Sequence, residues 1–111
     1  MIYLNIFLIF LFAITQSNYS EVEVLGYNVK LFVPKNIEIN KEIKICAIIE
    51  NSTTKEIIKN ISVSFFIYSK GEKLVDIVDA VEENSSYVGF FKFKKSGEYE
   101  IRVVFGNAIE A

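Results

Sequence analysis

The chain has 111 residues, of which 51% are hydrophobic and 23% charged, and its formal net charge is −2. This size and composition indicate one globular domain behind a short leader and exclude a disordered chain, and the small acidic balance gives no basic surface for nucleic acid. Histidine is absent and Cys46 is the only cysteine, which excludes Ser-His and Cys-His nucleophile pairs, Cys/His metal clusters and an internal disulfide. We therefore expect no cofactor, no enzymatic activity and no nucleic-acid partner.

The first twenty residues carry no charged side chain, and residues 2–14 form an apolar run that only Asn5 interrupts. A membrane-spanning helix needs about 20 apolar residues, so this shorter run predicts a secretion signal, with cleavage near Ser17. No Lys or Arg precedes the run, so only the terminal amine supplies positive charge. A retained membrane anchor is the alternative, and a buried helix is a third. We predict that residues 1–20 are a signal peptide or anchor and that the remainder is exported, to the extracellular space or cell envelope.

From Glu21 onwards, apolar and polar residues alternate with the period of a β-strand that has one buried face. Residues 22–33 are predicted to form one strand whose register shifts near Gly26, where a bulge costs little. Ile37 and Ile39 are predicted as a short strand. A longer strand follows, and its predicted inward residues are Ile43, Ile45, Ala47 and Ile49.

The second half of the chain continues this pattern after a polar loop at residues 51–56. Residues 73–81 alternate weakly, which predicts an edge strand. Residues 90–105 are predicted to form a hairpin with a turn at residues 95–98, because Gly97 permits a tight corner. The predicted inward residues of this half are Ile61, Val63, Phe65, Ile67, Phe91, Phe93, Tyr99, Ile101, Val103 and Phe105.

Three motifs suggest a family. A strand ends in an Asn-containing turn at residues 48–52, an x-N-V-S-V-x-F-like strand follows at residues 59–66, and a G-x-Y-x-I-x-V strand lies at residues 97–103. Together they resemble the CARDB type of prokaryotic immunoglobulin-like domain, a cell-adhesion-related relative of fibronectin type III. The chain departs from that type at Thr53, where a glycine is usual, and has Ile101 where antibody-like domains place a cysteine.

The resulting fold prediction is all-β. Turn signals recur about every ten residues and no helical period follows residue 20, which favours an antiparallel sandwich over a βαβ fold. We predict a single immunoglobulin-like β-sandwich of about seven strands at residues 21–107, followed by a short tail at residues 108–111.

Four Asn-x-Ser/Thr sequons begin at Asn18, Asn51, Asn60 and Asn84. Such sequons are glycosylation acceptors only in exported chains, and Asn and Ser are also common turn residues. Asn51, Asn84 and Asn60 are the predicted glycosylation candidates. Modification and simple turn formation both remain open.

Four aromatic side chains, Phe32, Phe66, Tyr68 and Phe90, fall on predicted outward faces. Bulges could bury them; otherwise they form an exposed apolar surface of the kind that binds a partner. They are our candidate interaction residues. Cys46 is predicted to be a small, buried, hydrophobic side chain.

A calcium site or an acid/base pair is one interpretation of four nearby carboxylates, Asp76, Asp79, Glu82 and Glu83. Calcium needs several converging oxygens, usually from a glycine-containing loop, and this spacing is absent. Charges along an exposed edge strand, which discourage sheet-to-sheet pairing, explain them better. We therefore predict no metal site.

These observations predict a non-enzymatic exported or cell-surface interaction module for adhesion, a surface layer or an envelope complex. It would act with a protein partner or by self-assembly, and would contact the membrane through residues 2–14 if these are retained. One alternative is a pilin-like filament subunit that keeps its hydrophobic N-terminus. Another is an exported small-ligand or metal carrier of sandwich fold.

Overall fold

The structure, a computed structural model, describes the backbone of residues 6–12 and 107 and the backbone and side chains of residues 19–106. Nine strands and no helix occur in these ranges, and eight of the strands follow residue 18. The strands form two antiparallel sheets, which confirms the predicted all-β, two-sheet architecture. Within the same ranges, no helix has the length and hydropathy that crossing a membrane requires.

The strands of the four-stranded sheet lie in the order β1-β9-β5-β6, and those of the five-stranded sheet in the order β2-β3-β4-β8-β7. All neighbouring strands are antiparallel. Their bounds are β1 (Ile6–Phe12), β2 (Tyr19–Val24), β3 (Tyr27–Phe32), β4 (Glu42–Asn51), β5 (Ile61–Ser69), β6 (Lys73–Asp79), β7 (Val81–Glu83), β8 (Ser86–Lys92) and β9 (Tyr99–Asn107).

Strand β1 belongs to the segment predicted as a leader. Its backbone pairs with β9 at each of its seven residues, from Ile6 opposite Gly106 to Phe12 opposite Glu100. The predicted cleavage position near Ser17 and the predicted tail at residues 108–111 lie outside the described residues. The signal or anchor assignment therefore stays a prediction.

Residues 22–33 do not form one strand with a register shift, so that prediction was wrong. They form most of the β2-β3 hairpin, in which Val24 pairs with Tyr27 across a two-residue turn. Leu25 and Gly26 have φ angles of 49° and 85°. Two successive positive φ angles are typical of the type I′ turn that suits tight hairpins. The change of phase near Gly26 therefore marks a chain reversal.

The predicted hairpin at residues 90–105 was also wrong. Strand β8 pairs with β4 and β7, whereas β9 pairs with β1 and β5, so residues 93–98 carry the chain from one sheet to the other. Two strands that face the same core from opposite sheets alternate in the same way as two strands of a hairpin. Only the backbone pairing distinguishes the two arrangements.

The predicted short strand at Ile37 and Ile39 is absent, because residues 33–41 connect β3 to β4 without strand geometry. Ile37 packs against the core, and Ile39 is 39% exposed. The connection is attached to the end of the sheet by Asn40, whose N–H donates to the Phe93 carbonyl at 2.7 Å.

A single hydrophobic core joins the inner faces of the two sheets. The predicted inward residues of β4 are confirmed as buried, and so are those of β5 and β9 apart from Ile61 and Tyr99, which are partly buried. Phe91 on β8 is partly buried as well. Burial of such side chains, at about 1.5–3 kcal/mol each, is the main stabilising contribution. The core residues are Val29, Leu31, Val33, Ile43, Ile45, Ala47, Ile49, Val63, Phe65, Ile67, Tyr87, Phe93, Ile101, Val103 and Phe105.

Gly89 allows β8 to approach the opposite sheet closely. A Cβ atom at this position would lie 2.8 Å from Val78 Cγ1 and 3.1 Å from Phe65 Cδ2, distances too short for carbon atoms. Strand β8 therefore packs directly onto the Phe65 ring at a point where any side chain would push the sheets apart.

We expect Gly89→Ala to lower the free energy of unfolding by about 1–3 kcal/mol, because the added methyl group overpacks the core. Urea denaturation measures the change. Combining it with Val78→Ala, which removes the nearest contacting atom, should cost less than the sum of the two single changes. Strict additivity of the two losses would contradict the proposed contact.

Tyr87 carries a polar group into the core. Its side chain is 1% exposed, and its hydroxyl donates to the carbonyl of Ile58, in the β4-β5 connection, at 3.0 Å. Burial raises the pKa of the Tyr87 hydroxyl above its ordinary value of 10.0, because the ionised form would lose its hydration. This bond fastens the connection to the five-stranded sheet.

The raised pKa predicts a loss of stability in alkali. Below pH 10 the tyrosine is protonated in both states; above it, the unfolded chain releases the proton first, so stability falls as pH rises. Tyr87→Phe should make this fall shallower while lowering stability near pH 7 by about 1 kcal/mol through the lost hydrogen bond. Urea unfolding between pH 7 and 11 tests this, and parallel pH curves for both proteins would contradict it.

Candidate interaction surfaces

The structure divides the four predicted interaction residues between the two outer sheet faces. Phe32 on β3 and Phe90 on β8 lie on the outer face of the five-stranded sheet, and Phe66 and Tyr68 on β5 lie on the outer face of the other. Phe90 is 54% exposed, and the other three are half-buried. The four therefore do not form one surface.

An apolar row crosses the whole outer face of the five-stranded sheet. Backbone pairing places its members side by side on five successive strands: Tyr19, Phe32, Cys46, Val88 and Val81. We call these five residues the apolar row. Its two end residues, Tyr19 and Val81, are 40% and 70% exposed, and Phe90 adjoins it as a further exposed apolar residue.

The apolar row has packed rings at its Tyr19 end, whereas its Val81 end is exposed to solvent. The rings of Tyr19 and Phe32 are 5.0 Å apart at an angle of 50°, a favourable tilted contact. Cys46 lies at its centre and is half-buried, rather than fully buried as predicted. Sequence reasoning missed Tyr19 and Val81, because only the register of four strand pairs brings them into line.

Polar residues border the apolar row on one side. Asn28 donates its side-chain N–H to Glu21 and, at 3.2 Å, to Glu50, while Lys30 Nζ lies 3.5 Å from the Glu50 carboxylate. Hydrogen bonds from the Tyr19 hydroxyl and then from Asn28 lower the pKa of Glu21. The lowered pKa keeps the Glu21 carboxylate charged at neutral pH, and these polar side chains bound the apolar row on this side.

A buried cation organises the outer face of the four-stranded sheet. Arg102 on β9 is 7% exposed, and its guanidinium carbon lies 3.8 Å from the centroid of the Tyr68 ring. Its Nε donates to Glu100 at 2.9 Å, and its Nη2 pairs with Glu72. Burial lowers the pKa of Arg102, but the bonds to the two carboxylates raise it by more. The Tyr68 ring is thus covered by a fixed charge and is not an open apolar surface.

A cleft of about 390 Å³ opens between β6 of one sheet and the end of β8 in the other. Three aromatic rings line it in sequence: Phe91 and Phe93 have centroids 4.7 Å apart, and Phe93 and Tyr99 4.6 Å apart. The remaining lining residues are Ser69, Val75, Asp76, Lys92, Lys94 and Lys95.

The edges of the two sheets differ in how well they are covered. The predicted edge strand at residues 73–81 is confirmed in β6, which ends the four-stranded sheet and carries a bulge opposite Ile67 and Tyr68. Strand β7 ends the five-stranded sheet but has only three residues, which pair with Ser86, Tyr87 and Val88. Among the described residues, the last part of β8 therefore has a paired neighbour on one side only.

The glycosylation candidates in the described residues all lie at turns. Asn51 Oδ1 accepts the backbone N–H groups of Thr53 and Thr54 at 2.9 and 3.0 Å. Asn60 and Asn84 are exposed and have φ angles of 61° and 50°, which asparagine tolerates well. Asn18 lies outside the described residues. Glycosylation of these sites stays a prediction.

Three of the four carboxylates considered as a metal site have separate local partners. Asp79 accepts the Ser64 hydroxyl at 2.9 Å, Glu82 accepts the Asn60 backbone N–H at 2.9 Å, and Asp76 accepts the N–H of the next residue. Across residues 19–106, no group of three or more His, Cys, Asp or Glu side chains is placed to hold a metal ion.

Comparison with known proteins adds no relative. No protein-family model matches the chain, and no curated protein and no solved structure shows significant similarity to it. The CARDB resemblance therefore rests on the three sequence motifs.

We expect Arg102→Met to lower the free energy of unfolding by about 3 kcal/mol, because it leaves the half-buried Glu100 carboxylate without its partner. Arg102→Lys keeps the charge but loses the planar contact with Tyr68, so its loss should be smaller. Lys44→Met, an exposed position on the other sheet, is the matched control. Equal urea midpoints for Arg102→Met and Lys44→Met would contradict the assigned role.

Proposed function

We propose that this chain is a non-enzymatic interaction module that is exported to the cell surface or envelope, where it binds a protein partner or assembles with itself. The proposal includes an immunoglobulin-like fold of the CARDB kind. Adhesion, a surface layer and an envelope complex are the settings in which such a module acts. The apolar row on the outer face of the five-stranded sheet is the observation that carries the proposal.

The order of the strands supports the immunoglobulin-like part. Within the five-stranded sheet, the spatial order β3-β4-β8-β7 matches the A-B-E-D sheet of the constant-type fold. In the other sheet, the neighbours β5 and β9 match strands C and F. Strand β6 adds to the C side, as in relatives with an extra strand. In this correspondence β1 lies beside β9, where strand G would lie.

The row supports binding because soluble monomers seldom expose continuous apolar surface beyond a few hundred Å². Here five strands each contribute an apolar residue: Tyr19, Val81 and adjoining Phe90 are exposed, Phe32 and Cys46 are half-buried, and Val88 is buried between them. Protein-binding sites usually have aromatic and aliphatic side chains at the centre and a charged border around them. The charges of Glu21, Lys30 and Glu50 would form that border.

Export is supported by the uncharged, apolar N-terminal run. The filament alternative keeps that run, and the pairing of the β1 backbone with β9 favours it, since a retained N-terminus would then be part of the folded unit. The carrier alternative has the aromatic cleft in its favour. Intact mass of the protein from its native envelope separates cleavage from retention: loss of about the first 17 residues supports a cleaved export signal, and retention supports a membrane anchor or the filament.

We expect Val81→Lys and Phe90→Lys, tested singly, to remove the partner while leaving the fold intact, because each places a charge on an exposed position of the surface. The measurement is chemical cross-linking in the native envelope followed by the mass of the cross-linked species. Ile77→Lys, 45% exposed on the outer face of the other sheet, is the matched control. Unchanged cross-linking in both variants would overturn the proposal.

A further inference from the structure

The edge of the five-stranded sheet is left open beside the last three residues of β8. Strand β7 pairs with β8 only as far as Val88, and the residue before β7, Ala80, turns away, since its N–H donates to the Val63 carbonyl of the other sheet at 2.9 Å. Phe90, Phe91 and Lys92 pair with β4 on one side, and in the described part of the chain no strand lies on their other side.

An open edge of this kind can accept another strand. Alternate residues of an antiparallel strand direct their N–H and C=O groups to the same side, so part of this backbone faces outwards from the sheet. An extended peptide placed in line with β7 would pair with those groups. This is how many binding domains add a peptide as an extra strand.

The aromatic cleft lies beneath this open edge. Phe91 points inwards from β8, and the cleft extends from it to Val75 and Asp76 on β6 in the opposite sheet. An added strand would alternate as β8 does, so its residue opposite Phe91 would enter the cleft. There it would contact the Phe91, Phe93 and Tyr99 rings, which favours an apolar side chain.

The charges around the cleft determine which outward-facing residues of an added strand would be favoured. Lys92, Lys94 and Lys95 line it together with a single carboxylate, Asp76, in a protein whose net charge is −2. The residue of an added strand opposite Lys92 would point outwards beside that lysine. Opposite charges on directly paired residues stabilise a sheet, so an acidic residue fits best at this position.

We propose that this open edge binds a partner protein through a short extended segment that runs antiparallel to β8. The segment places an apolar or aromatic residue in the cleft opposite Phe91 and acidic residues beside Lys92 and Lys94. This inference rests on the proposed function, since it assumes a module that binds proteins, but it concerns a different surface from the apolar row.

A blocked five-residue peptide, Glu-Val-Glu-Phe-Val, follows this pattern in the antiparallel direction. Its second glutamate faces Lys92, its phenylalanine enters the cleft opposite Phe91, and its last valine lies beside Phe90. Its first glutamate extends past the end of β8 towards Lys94 and Lys95. Titration into the isotope-labelled full chain, followed by two-dimensional NMR, should shift the amide signals of Phe90, Phe91 and Lys92.

Four control peptides separate the contributions. Replacing both glutamates by lysine should weaken binding about tenfold, and replacing the phenylalanine by glycine should abolish the shifts at the cleft. Two further versions carry N-methyl groups on alternate amides. Because only one alternate set faces β8, one version should fail to bind and the other should bind normally.

Two double variants and one single variant of the protein test the charges. Lys94→Glu with Lys95→Glu should weaken the acidic peptide about tenfold, whereas Lys55→Glu with Lys59→Glu, an equal change in net charge in the exposed β4-β5 connection, should leave binding unchanged. Asp76→Asn should strengthen binding about twofold, because it removes the carboxylate that opposes the ligand.

The outcomes divide clearly. Lack of binding at millimolar peptide, equal binding of both N-methylated versions, or shifts confined to another surface would overturn the inference. If this occurs while Val81→Lys still removes the envelope partner, the proposed function stands and only the edge site fails. If neither the peptide nor the Val81→Lys test succeeds, both proposals fail.

Discussion

Mutual burial of the two inner sheet faces is the constraint on which the rest of the structure depends. Each strand of the core contributes alternate apolar residues, and many of them, such as Ile45, Phe65 and Ile101, are completely buried. Slipping any strand by one residue would turn its buried side chains to solvent, so this core also determines the register of every pair. Gly89 marks a close approach of the sheets, where Val78 and Phe65 leave no room for a side chain.

Because the inner faces provide stability, the outer faces and edges remain for other purposes. The outer faces are not alike: one carries the apolar row, and the other carries Arg102, held over Tyr68 by two carboxylates. Arg102 places a paired charge over the Tyr68 ring, while Leu74 and Ile77 on β6 are exposed apolar side chains at the edge of the same face. The apolar row and adjoining Phe90 are the surface that we propose for a protein partner.

The edge strands of the two sheets also differ, in the way each is protected from pairing with another strand. Natural sheets protect edges by charge, shortness or bulges. Strand β2 carries Glu21 and Glu23, β6 carries a bulge and the inward-facing Asp76, and β7 is very short. Because β7 is short, it offers little backbone for pairing with another strand. For the same reason it leaves the end of β8 without a neighbour on that side, directly above the aromatic cleft. One protective feature thus creates the accessible backbone at which a further strand could be added.

The sequence by itself determined most strands after residue 20 and most of the core, because alternation with period two depends on local order alone. It predicted the buried faces of β4 and β9 and the edge position of β6. It failed where two arrangements share one pattern: Leu25 and Gly26 form a reversal and not a bulge, and β8 and β9 belong to different sheets. Only the tertiary structure decided strand partners, and with them the apolar row and the open edge. Both join residues distant in the chain, and pairing between distant residues leaves no mark on local periodicity.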